Sequence, residues 1–179
     1  LVFAGAGSGK TRVLVFRIIH HLLAGVPPER LLALTFTNKA AGEMRGRLEV
    51  ALGPRARGVW MGTFHAVCAR ILRAEGGRLG LPDRFAILGR GECLALLKRE
   101  MAAAGVVADR YPPPAVLGRI GGLKTALREA GEAPPAFSLE GVAARLAPAY
   151  GRALQEAGAV DFDDLLALPL RLFREHPDV

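Results

Sequence analysis

Residues 4–12 read AGAGSGKTR, set between the apolar run LVFA (1–4) and the helix-like segment GKTRVLVFRIIHHLLAG (9–25). A strand, a glycine-rich turn and a helix in immediate succession leave the chain few folds. Glycine lets the backbone N–H groups of the turn point inward, and the helix N-terminus adds a favourable dipole for an anion. Ala4, Gly5, Ala6, Gly7, Ser8 and Gly9 form the candidate cradle. Lys10 would bridge the outer phosphates of a nucleotide and is the candidate catalytic residue, and the Thr11 hydroxyl is the candidate Mg²⁺ contact. The usual pattern has Gly six places before the Lys; here Ala4 takes that place, the next smallest residue.

The segment that follows keeps the alternation. LLALTF (31–36) and VWMGTF (59–64) read as strands, and 38–53 and 65–76 as helices with Gly53-Pro54 stopping the first. Strands and helices in turn, joined by short links, imply a parallel sheet covered by helices. Beyond Gly77 the β-branched runs vanish. Helices are expected over 90–104, 114–131 and 138–157, with a last one from Asp161 that should kink or break at Pro169. The fold class expected from these elements is α/β: a P-loop parallel-sheet core followed by an all-helical insertion or second domain.

Charge narrows the partner. The chain carries a net +7, and residues 1–75 hold 11 Lys/Arg against 4 Asp/Glu while 76–179 hold 13 of each. The whole excess therefore lies in the segment with the cradle, which favours a nucleic-acid partner there over a nucleotide alone. Arg outnumbers Lys 20 to 4, and two of the four lysines, Lys10 and Lys39, fall in candidate functional stretches. No apolar run approaches the roughly 18–20 residues of a membrane helix. No secretory leader precedes the loop and the first residue is Leu, so the chain reads as a piece of a longer, cytoplasmic protein. Cys68 and Cys93 lack metal-ligand spacing and read as reduced and buried.

Two further stretches lie where strands end, the edge at which open parallel sheets bind ligands. In TFTNKAAGEMRGRL (35–48), Thr37 or Asn38 can cap a helix, Lys39, Arg45 and Arg47 supply positive charge, and Phe36 can either stack on a base or fill the core. In GTFHAVCARILR (62–73), Thr63 and His65 are polar groups at the same edge, and His65 serves equally well as a helix-start residue bonded to backbone.

AGAGSGKTRVL, LALTFTNKAAGEMRGRL, GTFHAVCARILR and DFDDLL, in this order, resemble the UvrD/Rep/PcrA family of superfamily 1 DNA helicases. The resemblance runs from Leu1 to about Arg73 and resumes at 160–179. It implies an ATP-driven motor moving 3′ to 5′ on single-stranded DNA and unwinding duplex, in DNA repair or replication, with ATP and Mg²⁺ as cofactors and no membrane. It implies a P-loop NTPase (RecA-like) parallel-sheet core, incomplete, with an all-helical inserted subdomain: residues 1–75 as most of the first RecA-like lobe (1A), 76–157 as its helical insertion (1B), which meets duplex, and 158–179 as the return toward 1A. Arg12 falls beside the nucleotide, Phe36, Thr37, Asn38 and Lys39 on single-stranded DNA, and Thr63, Phe64 and His65 on the next DNA-contacting segment.

Asp161, Asp163 and Asp164 in DFDDLL could be mistaken for metal-binding acids. AGAV before them is too short and too rich in Ala and Gly for a convincing core strand, and Asp161 as an N-cap with Asp164 three places on accounts for the stretch. ATP hydrolysis needs an acidic pair, which the family carries as DE-x-Q-D, and no such stretch occurs in the 179 residues. The expectation is a helicase parent whose present piece does not hydrolyse ATP efficiently. A RecB/AddA-type helicase-nuclease subunit, a small-molecule kinase and a non-enzymatic DNA- or partner-binding remnant are the other readings.

Overall fold

The structure, a computed structural model, describes residues 9–126 and 134–179 and divides into two compact units, 1–67 and 68–179. The strand expected over 1–4 and the last residues of the helix expected over 114–131 lie outside the described residues.

In the first unit α1 (Lys10–Leu23) and α2 (Asn38–Leu52) flank the strands β1 (Leu32–Thr35) and β2 (Trp60–Thr63). The strands pair in parallel, with Leu32 opposite Trp60 and Thr35 opposite Thr63. The helices form because their apolar residues recur at helical spacing: Val15 and Ile18 on α1, and Ala41, Met44 and Leu48 on α2, are the buried positions. These side chains close over Ala33 of β1 and over Ala56 and Val59 to make one core. α1 stops where Gly25 takes a left-handed φ of 84°. The Val26 N–H then donates to the His21 carbonyl and the Gly25 N–H to that of Leu22, satisfying two carbonyls the helix end would otherwise leave open. The alternation and parallel pairing expected from sequence are present, with boundaries within one or two residues.

The unit boundary falls inside α3 (Phe64–Glu75). The second unit continues with β3 (Ala86–Ile87), α4 (Arg90–Ala103), α5 (Pro113–Thr125), α6 (Leu139–Glu156), β4 (Ala159–Val160) and α7 (Phe162–Glu175). Its main core joins Cys93, Leu97 and Met101 of α4 to Val116 and Ile120 of α5 and to Val142, Leu146, Tyr150 and Leu154 of α6. Successive intervals of four residues on α4 and α6 line up one face of each helix.

Three expectations are corrected here. The middle segment is not all helical: β3 pairs in parallel with β4, and Ala159 and Val160, set aside above as too short for a core strand, are buried. A two-residue strand lies below the length at which alternation can show in a sequence. The break at Pro169 does not occur, since α7 runs unbroken from Phe162 to Glu175. Pro169 lies on the buried stripe with Leu165 and Leu172, and that burial offsets the lost N–H donor. Cys93 is buried but Cys68 only partly so, and both thiols are free.

Two glycines of α6 test the packing in opposite senses. A Cβ at Gly141 would run into the Pro135 carbonyl, whereas one at Gly151 meets nothing within 4 Å. Gly141→Ala should therefore destabilise the protein by about 1–3 kcal/mol. Gly151→Ala should stabilise it by about 0.5–1 kcal/mol. Urea denaturation of the two variants reads both signs.

Candidate functional site

α1 begins abruptly. Gly9, the residue before it, takes φ 86° and ψ 19°, a left-handed turn that only glycine adopts readily. Among the described residues no side chain caps this helix, and its first turn holds no acidic residue. The first N–H groups of any helix lack partners within it, and here Lys10 and Arg12 stand exposed beside them with Thr11 half-buried. That combination of uncapped N–H groups, dipole and cations suits a phosphate. Arg12 also lies over the Phe16 ring, 5.7 Å from its centroid. Ala4, Gly5, Ala6, Gly7 and Ser8 lie outside the described residues.

The two stretches expected to face DNA come together at the C-terminal ends of β1 and β2. Because Thr35 and Thr63 are opposite each other, Phe36 and Phe64 leave the sheet side by side. Their ring centroids are 5.9 Å apart and the rings are tilted by 49°. Phe36 is 93% exposed and Phe64 43%, so the alternative that Phe36 fills the core is excluded. Backbone bonds fix the surroundings of Phe36. The Thr35 hydroxyl donates to the Thr37 carbonyl at 3.0 Å, and the Thr37 hydroxyl accepts from the Ala40 N–H at 3.1 Å. Thr37, rather than Asn38, is thus the cap of α2. Thr63 does the same for α3, its hydroxyl accepting from the Ala66 N–H at 3.3 Å. Asn38 and Lys39 are exposed and His65 half-buried in the first turns of these helices. Arg45 is spent elsewhere: its guanidinium donates to the Met61 carbonyl at 3.1 Å, bracing α2 against β2.

Asp161 is the buried charge of the second unit, 4% exposed. It caps α7, accepting the Asp164 N–H at 2.8 Å, while the Asp164 carboxylate accepts the Asp161 N–H at 3.2 Å. The capping reading of DFDDLL therefore holds, with two partners the sequence reading missed. The Lys124 ammonium of α5 lies 2.7 Å from Asp161 and 2.8 Å from Asp164. The Tyr150 hydroxyl of α6 donates to Asp161 at 3.1 Å. Lys124 was one of only four lysines in an arginine-rich chain, and that scarcity was the available signal. Burial alone would raise the Asp161 carboxyl, but Lys124, the Asp164 N–H and Tyr150 together hold it below the usual carboxylate range. Asp164 is pushed up, chiefly by burial, with Lys124 opposing and the Asp161 charge reinforcing. Burial likewise pushes the Tyr150 phenol up. Among the described residues no group of His, Cys, Asp and Glu is placed to hold a metal ion. Nor is any helix among them long and apolar enough to cross a membrane.

A helix start after a left-handed glycine, and paired aromatics at the C-terminal edge of a parallel sheet on a basic unit, define an α/β protein of the class that offers such edges to anionic ligands. Comparison with known proteins makes this particular: residues 1–179 match the UvrD/REP helicase N-terminal domain, and the chain belongs to that family. It is 40% identical over 183 residues to the ATP-dependent DNA helicase PcrA of Leuconostoc citreum, covering 100% of this chain and 24% of that protein. It is 38% identical to the proteins of the same description from Staphylococcus epidermidis, over 181 residues, and Bacillus subtilis, over 186 residues. Those alignments cover 99% and 100% of this chain and 25% of each relative. The chain thus spans about a quarter of the length of these relatives.

The Asp161 network generates a pH prediction. A depressed carboxyl stabilises the fold above its unfolded value of about pH 4, and the benefit is lost as pH falls through the folded value. Asp164, raised, acts in the opposite sense, favouring the fold below about pH 4 and losing that benefit as pH rises. Asp161→Asn should cost about 2–3 kcal/mol at pH 7 and less at pH 3. Asp164→Asn should instead sharpen the acid sensitivity. Urea midpoints at the two pH values measure both.

Proposed function

We propose that this chain is the part of an ATP-dependent 3′–5′ DNA helicase that binds ATP–Mg²⁺ and single-stranded DNA, with a role in DNA repair or replication. The observation that carries the DNA half is Phe36. A phenylalanine held 93% exposed at a ligand-binding sheet edge forfeits about 2 kcal/mol of burial that a stacked nucleobase restores. It stands on the unit holding the chain's basic excess, with Lys39 and Asn38 in the helix start beside it. Single strands offer bases free to stack, whereas duplex hides them. Thr37, Thr63 and His65 complete the proposed contact, with Phe64 beside the Phe36 ring.

The nucleotide half rests on the start of α1. Gly9 turns the backbone, and Lys10, Thr11 and Arg12 present two cations and a hydroxyl where the N–H groups are uncapped. They suit a triphosphate with its Mg²⁺, whose hydrolysis supplies the motor's free energy. Lys10 and Arg12 neutralise phosphate charge, and Thr11 offers an oxygen to the metal. The relatives described as ATP-dependent DNA helicases support both halves. Residues 1–75 correspond in this reading to lobe 1A, 76–157 to the duplex-facing insertion and 158–179 to the return. Since residues 1–179 contain no DE-x-Q-D stretch, they bind ATP without hydrolysing it efficiently.

Anisotropy titrations with a labelled oligo-dT and with a fluorescent ATP analogue separate the two sites. Binding to oligo-dT should weaken with salt. Phe36→Ala should weaken it roughly tenfold and leave nucleotide affinity intact. Lys10→Ala should abolish nucleotide binding. Unchanged oligo-dT affinity in the Phe36 variant would contradict the DNA reading, and DNA-stimulated, Lys10-dependent ATPase activity of residues 1–179 would contradict the claim about hydrolysis.

A further inference from the structure

Phe36 poses a physical problem that its exposure makes acute. A ring with almost no protein around it is free to change rotamer, and each base captured must then freeze it again. Ordering one such side chain costs a complex about 0.5–1.5 kcal/mol. The described contact that limits this freedom is the ring of Phe64, 5.9 Å away and tilted by 49°. The separation lies within the range in which aromatic pairs attract, about 4.5–7 Å, and the tilt is intermediate between stacked and edge-on.

We infer that Phe64 is a positioning residue that holds the Phe36 ring in its base-receiving orientation, so that one nucleobase stacks on the outer face of Phe36 alone. The inference rests on the single-strand reading above and deepens it. Three observations carry it. First, the pairing is built into the sheet. Thr35 opposite Thr63 makes the next residues, Phe36 and Phe64, neighbours whatever else the loops do. Second, the backbone under each ring is pinned, by Thr37 capping α2 and by Thr63 capping α3. Third, the geometry excludes a sandwich. A base between two rings needs them roughly 7 Å apart and parallel, twice a contact of about 3.5 Å, and these rings are nearer and inclined. Phe64, 43% exposed against 93% for Phe36, is the inner ring of the two. The consequence is a shelf for one base, indifferent to its identity because every base has a π-face.

A double-mutant cycle on oligo-dT binding tests this. Phe64→Leu in the otherwise wild-type protein should weaken binding about threefold to tenfold, and Phe64→Tyr, which keeps the ring, should restore affinity to within twofold. In a Phe36→Ala background the same Phe64→Leu change should cost less than twofold, because there is no ring left to position. An oligonucleotide carrying a single 2-aminopurine should show base quenching that falls with Phe64→Leu as it does with Phe36→Ala. Phe64→Met serves as a second ring-free variant should Phe64→Leu fail to fold, and nucleotide binding reports folding of each variant. Equal losses in both backgrounds would mean that Phe64 touches DNA by itself, and no loss in either would mean that it does nothing; each overturns the inference. A wild-type protein that does not bind oligo-dT, or a Phe36→Ala variant that binds as well as wild type, fails the underlying single-strand reading instead and removes the inference with it.

Discussion

The parallel pairing of β1 with β2 is the constraint on which the rest of the first unit depends. Four residue pairs fix the register, and from that register follows the position of everything at the C-terminal edge. A shift by one residue would turn Phe36 or Phe64 to the other face of its strand and separate the rings. The pairing is itself held by α2, whose Met44 and Leu48 cover the strands and whose Arg45 reaches the Met61 carbonyl. Packing of α2 on the strands thus sets the geometry of the edge from which Phe36 and Phe64 project.

The three helix starts in this unit are finished in two ways. α2 and α3 begin with threonine caps that occupy N–H groups and fix the turn. α1 begins with a left-handed glycine and, among the described residues, without a side-chain cap or an acidic first turn. Left to itself, that end costs the helix the roughly 1 kcal/mol a cap contributes. A bound phosphate recovers this and more through the dipole and the N–H groups. The second unit shows the opposite choice at α7, where Asp161, Asp164, Lys124 and Tyr150 satisfy one another. The capping expected for DFDDLL from its sequence is thus extended by two partners from other helices, Lys124 and Tyr150.

Much of the first unit was legible because its signals are local. Glycine stops, caps and apolar spacing each act within one or two turns, and α1, β1, α2 and β2 fall within two residues of their expected bounds. The second unit hid what depends on distant residues. Nothing near Ala86 or Ala159 announces that they pair, and Pro169 reads as a break until Leu165 and Leu172 are seen to bury the same stripe. At the candidate site the sequence left Phe36 undecided between base and core. Alternation along β1 cannot settle the residue that has just left the strand, and only its solvent exposure does. The Phe36–Phe64 pair needed the register, although the repeated Thr-Phe at 35–36 and 63–64 was its visible trace.

The central claim, that a nucleobase rests on Phe36 at this edge, is tested most directly by photocrosslinking. An oligo-dT carrying one 5-iododeoxyuridine is irradiated with the protein, and the crosslinked tryptic peptide is identified by mass spectrometry. The account predicts attachment at Phe36, within the peptide spanning residues 31–39. Efficient crosslinking confined to other peptides, with that one left unmodified, would contradict it.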